Sequence, residues 1–327
     1  MRRPILKRAA VVLAVTTAVA GLGVAYLLRD PAPVGYWRSS AARDTYDHYY
    51  ARAFDGLPSP IRTLDLPTGF GFVRVYEFRG ATARQDATPV VLLPGRSSGT
   101  PMWSRNLRDL VDARTVYAMD AIGDAGQSVQ SRPITDAADQ ATWIDDALGV
   151  LKLDRVHLVG HSFGGWSAAT YATRYPARLA TLSLLEPVFV FAGLRWQMYV
   201  ASLPASIPFL PASWRNAMLK TIGGVGDIDR EDPVVAMIDA GFSGYAAKLP
   251  TPKQLTMDQL TRLDVPTYVA LGGASTMHDA RTAAVVARRT LPEGIVRVWP
   301  GASHSLPMEV AGELDGELLQ FMSSHDD

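Results

Sequence analysis

Short apolar runs recur along this chain, separated by longer stretches with helical spacing. Pro89-Val90-Val91-Leu92-Leu93 and Thr115-Val116-Tyr117-Ala118-Met119 have the character of buried parallel strands. Val156–Gly160, Ala180–Leu185, Thr267–Leu271 and Ile295–Trp299 read as further strands. Gly71–Phe78 instead alternates with period two, as a half-exposed strand does. Ala137–Leu151 predicts a helix. So does Ser39–Phe54, with Tyr46, Tyr49, Tyr50 and Phe54 at helical intervals, until Leu57-Pro58-Ser59-Pro60 stops it. Strands alternating with helices predict an α/β fold, a mostly parallel central sheet with helices on both faces.

One segment breaks the rhythm. Residues 187–265 are rich in aromatic residues, methionine and proline, among them Phe189, Phe191, Trp196, Phe209 and Trp214. Lying between two strands, they predict a mainly helical cap over the carboxyl edge of the sheet. The core is then 61–186 with 266–327, and 29–60 is a tether and a helix.

The N-terminus stands apart from that fold. Arg2, Arg3, Lys7 and Arg8 precede an uncharged apolar stretch from Ala9 to Leu28. Twenty helical residues at about 1.5 Å each span roughly 30 Å, the thickness of a bilayer core. The basic flank predicts a single-pass cell-membrane protein, N-terminus cytoplasmic and the rest outside. The alternative is secretion after cleavage near Ala20, at Ala18-Val19-Ala20. The basic start Arg2-Arg3-Pro4-Ile5-Leu6-Lys7 also resembles a twin-arginine export signal.

Composition narrows the chemistry. The 327 residues carry 32 basic and 32 acidic side chains, which gives no charge excess to attract nucleic acid. There is no cysteine, which excludes disulfides, thiolate catalysis and zinc–thiolate sites. No metal or organic cofactor is implied, and the oligomeric state is open.

The catalytic signal is Gly160-His161-Ser162-Phe163-Gly164, set between an apolar strand and a run of small residues. A strand, a tight turn holding one serine and a helix together make a nucleophile elbow, and its glycines leave room beside Ser162. The helix N-terminus behind Ser162 favours developing negative charge. A nucleophilic serine needs a base. His304, in the loop after the last strand, opens at the same carboxyl edge; His48, His157, His161, His278 and His325 lack such a position. Two backbone amides are candidates for an oxyanion hole: that of Phe163, and that of Arg96 in the loop Pro94-Gly95-Arg96-Ser97-Ser98-Gly99. The Arg96 side chain reads as a solvated arginine or as an anchor for an acidic substrate group. Trp103, Phe189 and Phe191 are candidate pocket residues.

With these motifs in order, the chain resembles the α/β-hydrolase superfamily over roughly residues 60 to 325. The matching segments are the glycine loop before Met102-Trp103, the stretch Asp120-Ala121-Ile122-Gly123-Asp124-Ala125-Gly126-Gln127-Ser128, the elbow, and Gly301-Ala302-Ser303-His304. The resemblance implies a triad acid after the strand Thr267–Leu271, where this chain has Ser275. Glu186, at the end of Ala180–Leu185, is the first candidate to replace it. Asp279 is the alternative, and is equally suited to cap the helix that follows.

The expected activity is hydrolysis of an apolar ester, thioester or lactone through an acyl-enzyme. Acyl transfer or carbon–carbon bond hydrolysis by the same triad is the alternative, as is a non-catalytic binding protein on this fold.

Overall fold

The computed structural model describes residues 32–198 and 231–326. Its elements begin with β1 (Tyr36–Trp37), α1 (Ser40–Phe54), β2 (Arg62–Thr68), β3 (Gly71–Phe78) and β4 (Val90–Leu93). There follow α2 (Leu107–Ala113), β5 (Val116–Met119), β6 (Val129–Gln130), α3 (Ala137–Leu151), β7 (Val156–His161), α4 (Phe163–Ala172) and β8 (Leu179–Leu185). Beyond these come α5 (Pro233–Gly244), β9 (Tyr245–Ala246), α6 (Met257–Thr261) and β10 (Thr267–Gly272). The chain closes with α7 (Ala280–Thr290), β11 (Ile295–Trp299), α8 (Leu306–Glu309) and α9 (Ala311–Ser323).

The main sheet runs β11-β10-β8-β7-β4-β5-β3-β2, with β6 beside β3. The strands from β11 to β5 pair in parallel, and β2, β3 and β6 antiparallel. Every residue of β4, β7 and β8 is buried, since apolar cores cover both faces. One core packs Trp143, Ile144, Ala168, Ala169 and Ala284 of α3, α4 and α7 on the sheet. The other packs Tyr46, Tyr50, Leu107, Leu318 and Phe321 of α1, α2 and α9. Parallel strands end at one edge, so the loops leaving β4, β7, β8, β10 and β11 emerge together there.

Three elements differ from the sequence reading. β2 carries Asp65 and Pro67, which hide its pattern; it forms the sheet edge, where a missing proline N–H costs no ladder bond. β3 alternates only in its first half, because aromatic residues of α1, Tyr50 and Phe54, cover the face that Tyr76 and Phe78 present. Helix α1, read with the tether as 29–60, packs into the core of the fold: Tyr46, Tyr50 and Ala53 are buried.

The membrane placement is corrected. Among the described residues no helix is long and apolar enough to cross a membrane. The stretch 1–28 on which the anchor and the cleavage near Ala20 rested lies outside the described residues. So does 199–230, the middle of the expected cap.

Candidate active site

Strand β7 delivers the chain to Ser162, whose φ of 54° and ψ of −116° are rare for an L-residue. Helix α4 begins at the next residue. The turn depends on its glycines. A Cβ on Gly160 would lie 2.3 Å from the Gly164 carbonyl oxygen, and one on Gly164 would lie 2.4 Å from those of Leu93 and Pro94. The Ser162 amide donates to the Leu185 carbonyl at 3.0 Å, which ties the elbow to the end of β8.

His304 Nε2 lies 2.9 Å from Ser162 Oγ, and its Nδ1 lies 3.1 Å from Glu186 Oε2. A carboxylate only accepts, so Nδ1 carries the proton and Nε2 accepts from the serine hydroxyl. Glu186 is fully buried, and its Oε1 accepts the Gly272 amide at 2.6 Å. Its φ of 49° is strained and turns the chain out of β8 into Pro187. Burial pushes the Glu186 carboxyl up. The His304 hydrogen bond, the fields of His278 and His304 and the Ser275 hydroxyl outweigh it and leave the group below the ordinary glutamate value.

Asp279 is placed elsewhere. It caps α7, accepting the Thr282 amide at 2.7 Å, and lies 3.5 Å from Arg195 with half its side chain exposed. The Thr282 hydrogen bonds hold its carboxyl below the ordinary aspartate value. Of the two candidate acids, Glu186 is the one that meets His304.

The loop bearing His304 is braced from two sides. His161 Nε2 donates to the His304 carbonyl at 2.9 Å, and burial, then the field of His304, lowers the His161 ring to about 3 and keeps it neutral. The Glu309 carboxylate accepts the Ser303 amide at 2.7 Å and the Ser303 hydroxyl as well.

The loop after β4 lies on the nucleophile. A Cβ on Gly95 would sit 2.9 Å from His161 Nδ1 and 3.3 Å from Ser162 Cβ. The Arg96 side chain fits neither sequence reading. It is two-thirds buried, pairs with buried Asp124 at 3.0 Å, and lies 5.3 Å from the centre of the Phe163 ring. Asp124 also accepts the Ser97 amide at 3.0 Å. The far end of the loop is held by buried Asp120, which accepts the Thr100 amide at 2.7 Å, the Gln127 amide at 2.8 Å and the Tyr50 hydroxyl at 3.0 Å. Burial raises the Asp120 carboxyl against the pull of these donors. Among the described residues the amides of Phe163 and Arg96 have no protein acceptor.

The expected pocket residues do not form one wall. Trp103 is buried in the core on the α1 side of the sheet, and Phe191 in the core on the other. Phe189, partly buried with a φ of 55°, accepts the Leu255 amide through its carbonyl. A cleft of about 830 Å³, lined by Val265, Tyr268, Ile295 and Phe321, opens at the start of β10 and β11, away from Ser162. Among the described residues no group of three His, Asp or Glu side chains is placed to hold a metal.

Sequence reasoning passed over His278, Asp124 and Tyr50. The signal for Asp124 was the glycine-rich segment after β5. For Tyr50 it was the aromatic spacing in α1. His278 had none.

Known proteins supply independent findings. Residues 90–315 match the model of the Alpha/beta hydrolase family. The uncharacterized carboxylesterase nap of Bacillus subtilis is 24% identical over 287 residues, covering 85% of this chain and 92% of that protein. The crystal structure of carboxylesterase CesB (YbfK) from Bacillus subtilis superposes with a TM-score of 0.78 at 22% identity, covering 86% of this chain and 98% of that one. A 104-residue stretch is 38% identical to the human 1-acylglycerol-3-phosphate O-acyltransferase ABHD5, over 31% of this chain and 30% of that protein.

Proposed function

The chain belongs to the Alpha/beta hydrolase family, and from that premise we propose that it cleaves carboxylic esters through an acyl-enzyme. The observation that carries this reading is the chain of contacts from Ser162 through His304 to Glu186, at 2.9 and 3.1 Å. The match to a carboxylesterase along most of both chains supports it.

In the proposed mechanism Ser162 Oγ attacks the ester carbonyl as His304 Nε2 takes its proton. Glu186 keeps the imidazole in the tautomer that leaves Nε2 free, and stabilises the imidazolium that forms. The amides of Phe163 and Arg96 receive the oxyanion, and Asp124 fixes the Arg96 turn that aims the second. His304 then gives its proton to the departing alkoxide. Water, activated by the same histidine, releases the acid and restores Ser162.

In this reading the described residues 233–244 help to cover this edge. A Cβ on Gly241 of α5 would lie 2.9 Å from Ser97 Cβ, so this helix rests directly on the oxyanion loop. The aromatic content of residues 187–265 favours an apolar ester. A second reading, acyl transfer to an alcohol in place of water, has the ABHD5 match in its favour. Product analysis with and without added alcohol separates the two.

The test is labelling with a fluorophosphonate probe, comparing the parent with Ser162→Ala, followed by a panel of p-nitrophenyl esters. Labelling and turnover confined to the parent are expected. A folded parent that neither labels nor turns over any ester overturns the reading.

A further inference from the structure

The loop after β10 holds a histidine that the proposed mechanism does not use. His278 is 1% exposed, and neither ring nitrogen has a hydrogen-bond partner among the described residues. Its Nε2 lies 3.6 Å from Glu186 Oε1, while the other carboxylate oxygen faces His304. At the end of β10 the Gly272 amide also donates to Glu186 Oε1, at 2.6 Å. Ser275 stands where the family resemblance implies an acid, and His278 lies three residues further along the same loop. The loop instead sets the His278 ring beside an acid that leaves β8.

We propose that His278 is a positioning residue: as a neutral imidazole protonated on Nε2 it donates to Glu186 Oε1 and keeps Oε2 on His304. The role rests on the ester-hydrolase reading given above.

The facing groups dictate the tautomer. A carboxylate only accepts, so a bare Nε2 would set a lone pair against an anion. A second proton on the ring is disfavoured. Burial opposes it first, and the fields of His304 and Arg195 oppose it too. Glu186 and Asp279 favour it, yet the ring stays below the ordinary histidine value. At 3.6 Å the contact is longer than a hydrogen bond. Closing it by about 0.5 Å is the tightening that active-site contacts undergo when substrate binds. With the Gly272 amide and His278 both on Oε1, the carboxylate cannot swing away as charge builds on the imidazole.

The test uses the full chain labelled with ¹⁵N-histidine, beside His278→Gln and His278→Leu. The ring signal lost in both variants belongs to His278, and near neutral pH it should report a neutral ring protonated on Nε2. His278→Leu should lower kcat by about tenfold or more with KM unchanged, while His278→Gln, which keeps a neutral N–H donor, should stay within about threefold of the parent. A purely structural role would move stability without this split or its rescue. A His278 ring protonated on Nδ1, or a His278→Leu variant with parental kcat, overturns the proposal. A folded parent inert to both the fluorophosphonate and esters overturns the hydrolase reading itself, and the positioning role with it; the ring spectrum still decides the contact.

Discussion

Gly95 packs against Ser162 with no space for a side chain: a Cβ at position 95 would lie 3.3 Å from Ser162 Cβ and 2.9 Å from His161 Nδ1. Gly95→Ala must therefore push the oxyanion loop away from the nucleophile or displace the His161 brace. We expect kcat for a p-nitrophenyl ester to fall by about 10- to 100-fold, since misplacement by about 1 Å costs that much. An unchanged melting temperature would locate the effect in the site. Parental kcat in this variant would show that the loop relaxes freely.

The two carboxylates near the site have separable roles. Glu186→Gln should reduce kcat by about 10⁴-fold, as amide replacement of a triad acid does. Asp279→Ala should leave kcat alone and lower stability by about 1 kcal/mol, the worth of an N-cap. Steady-state kinetics and urea unfolding on both variants decide this, and the reverse pattern would remove Glu186 from the mechanism.

Asp315 couples stability to pH. It is buried beneath the His304 loop, where Asn106 Nδ2 donates to its Oδ1 at 2.9 Å and to the Pro307 carbonyl at 3.0 Å. Burial pushes the Asp315 carboxyl up to about 7; the Asn106 hydrogen bond works against this and the nearby Asp109 with it. The unfolded chain ionises near the ordinary value of 3.8, so between the two values the folded state binds more protons. Its contribution is full below that window and is lost as pH rises through it. Asp315→Asn should remove the fall in melting temperature between about pH 4 and 7 that the parent shows from this group. An equal fall in the variant would assign it to other groups.

Tyr50 links the N-terminal helix to the oxyanion loop, its hydroxyl 3.0 and 3.2 Å from the two oxygens of Asp120. Tyr50→Phe leaves a buried carboxylate short of one donor and should cost about 1–3 kcal/mol. Urea unfolding reads the cost directly. A loss below about 0.5 kcal/mol would show that Asp120 is satisfied by Thr100 and Gln127 alone.

Much of this molecule was legible in its sequence because the signals are local. α3 and β11 fall where the pattern placed them, since burial on one or both faces imposes its period on neighbouring residues. The elbow around Ser162 was legible for a similar reason: only glycines fit that turn, so the chain must spell it out. His304 was found from its place after the last strand. The tertiary structure decided what depends on distance through space. Glu186 and His304 are 118 residues apart and meet because β8 and β10 are parallel neighbours whose ends share an edge with β11. No local pattern distinguishes such a carboxylate from Asp279, which is as well suited to capping a helix. Arg96 read as solvated because its partner, Asp124, comes from the loop after a different strand. His278 carried no signal at all, for its only distinction is the carboxylate it faces.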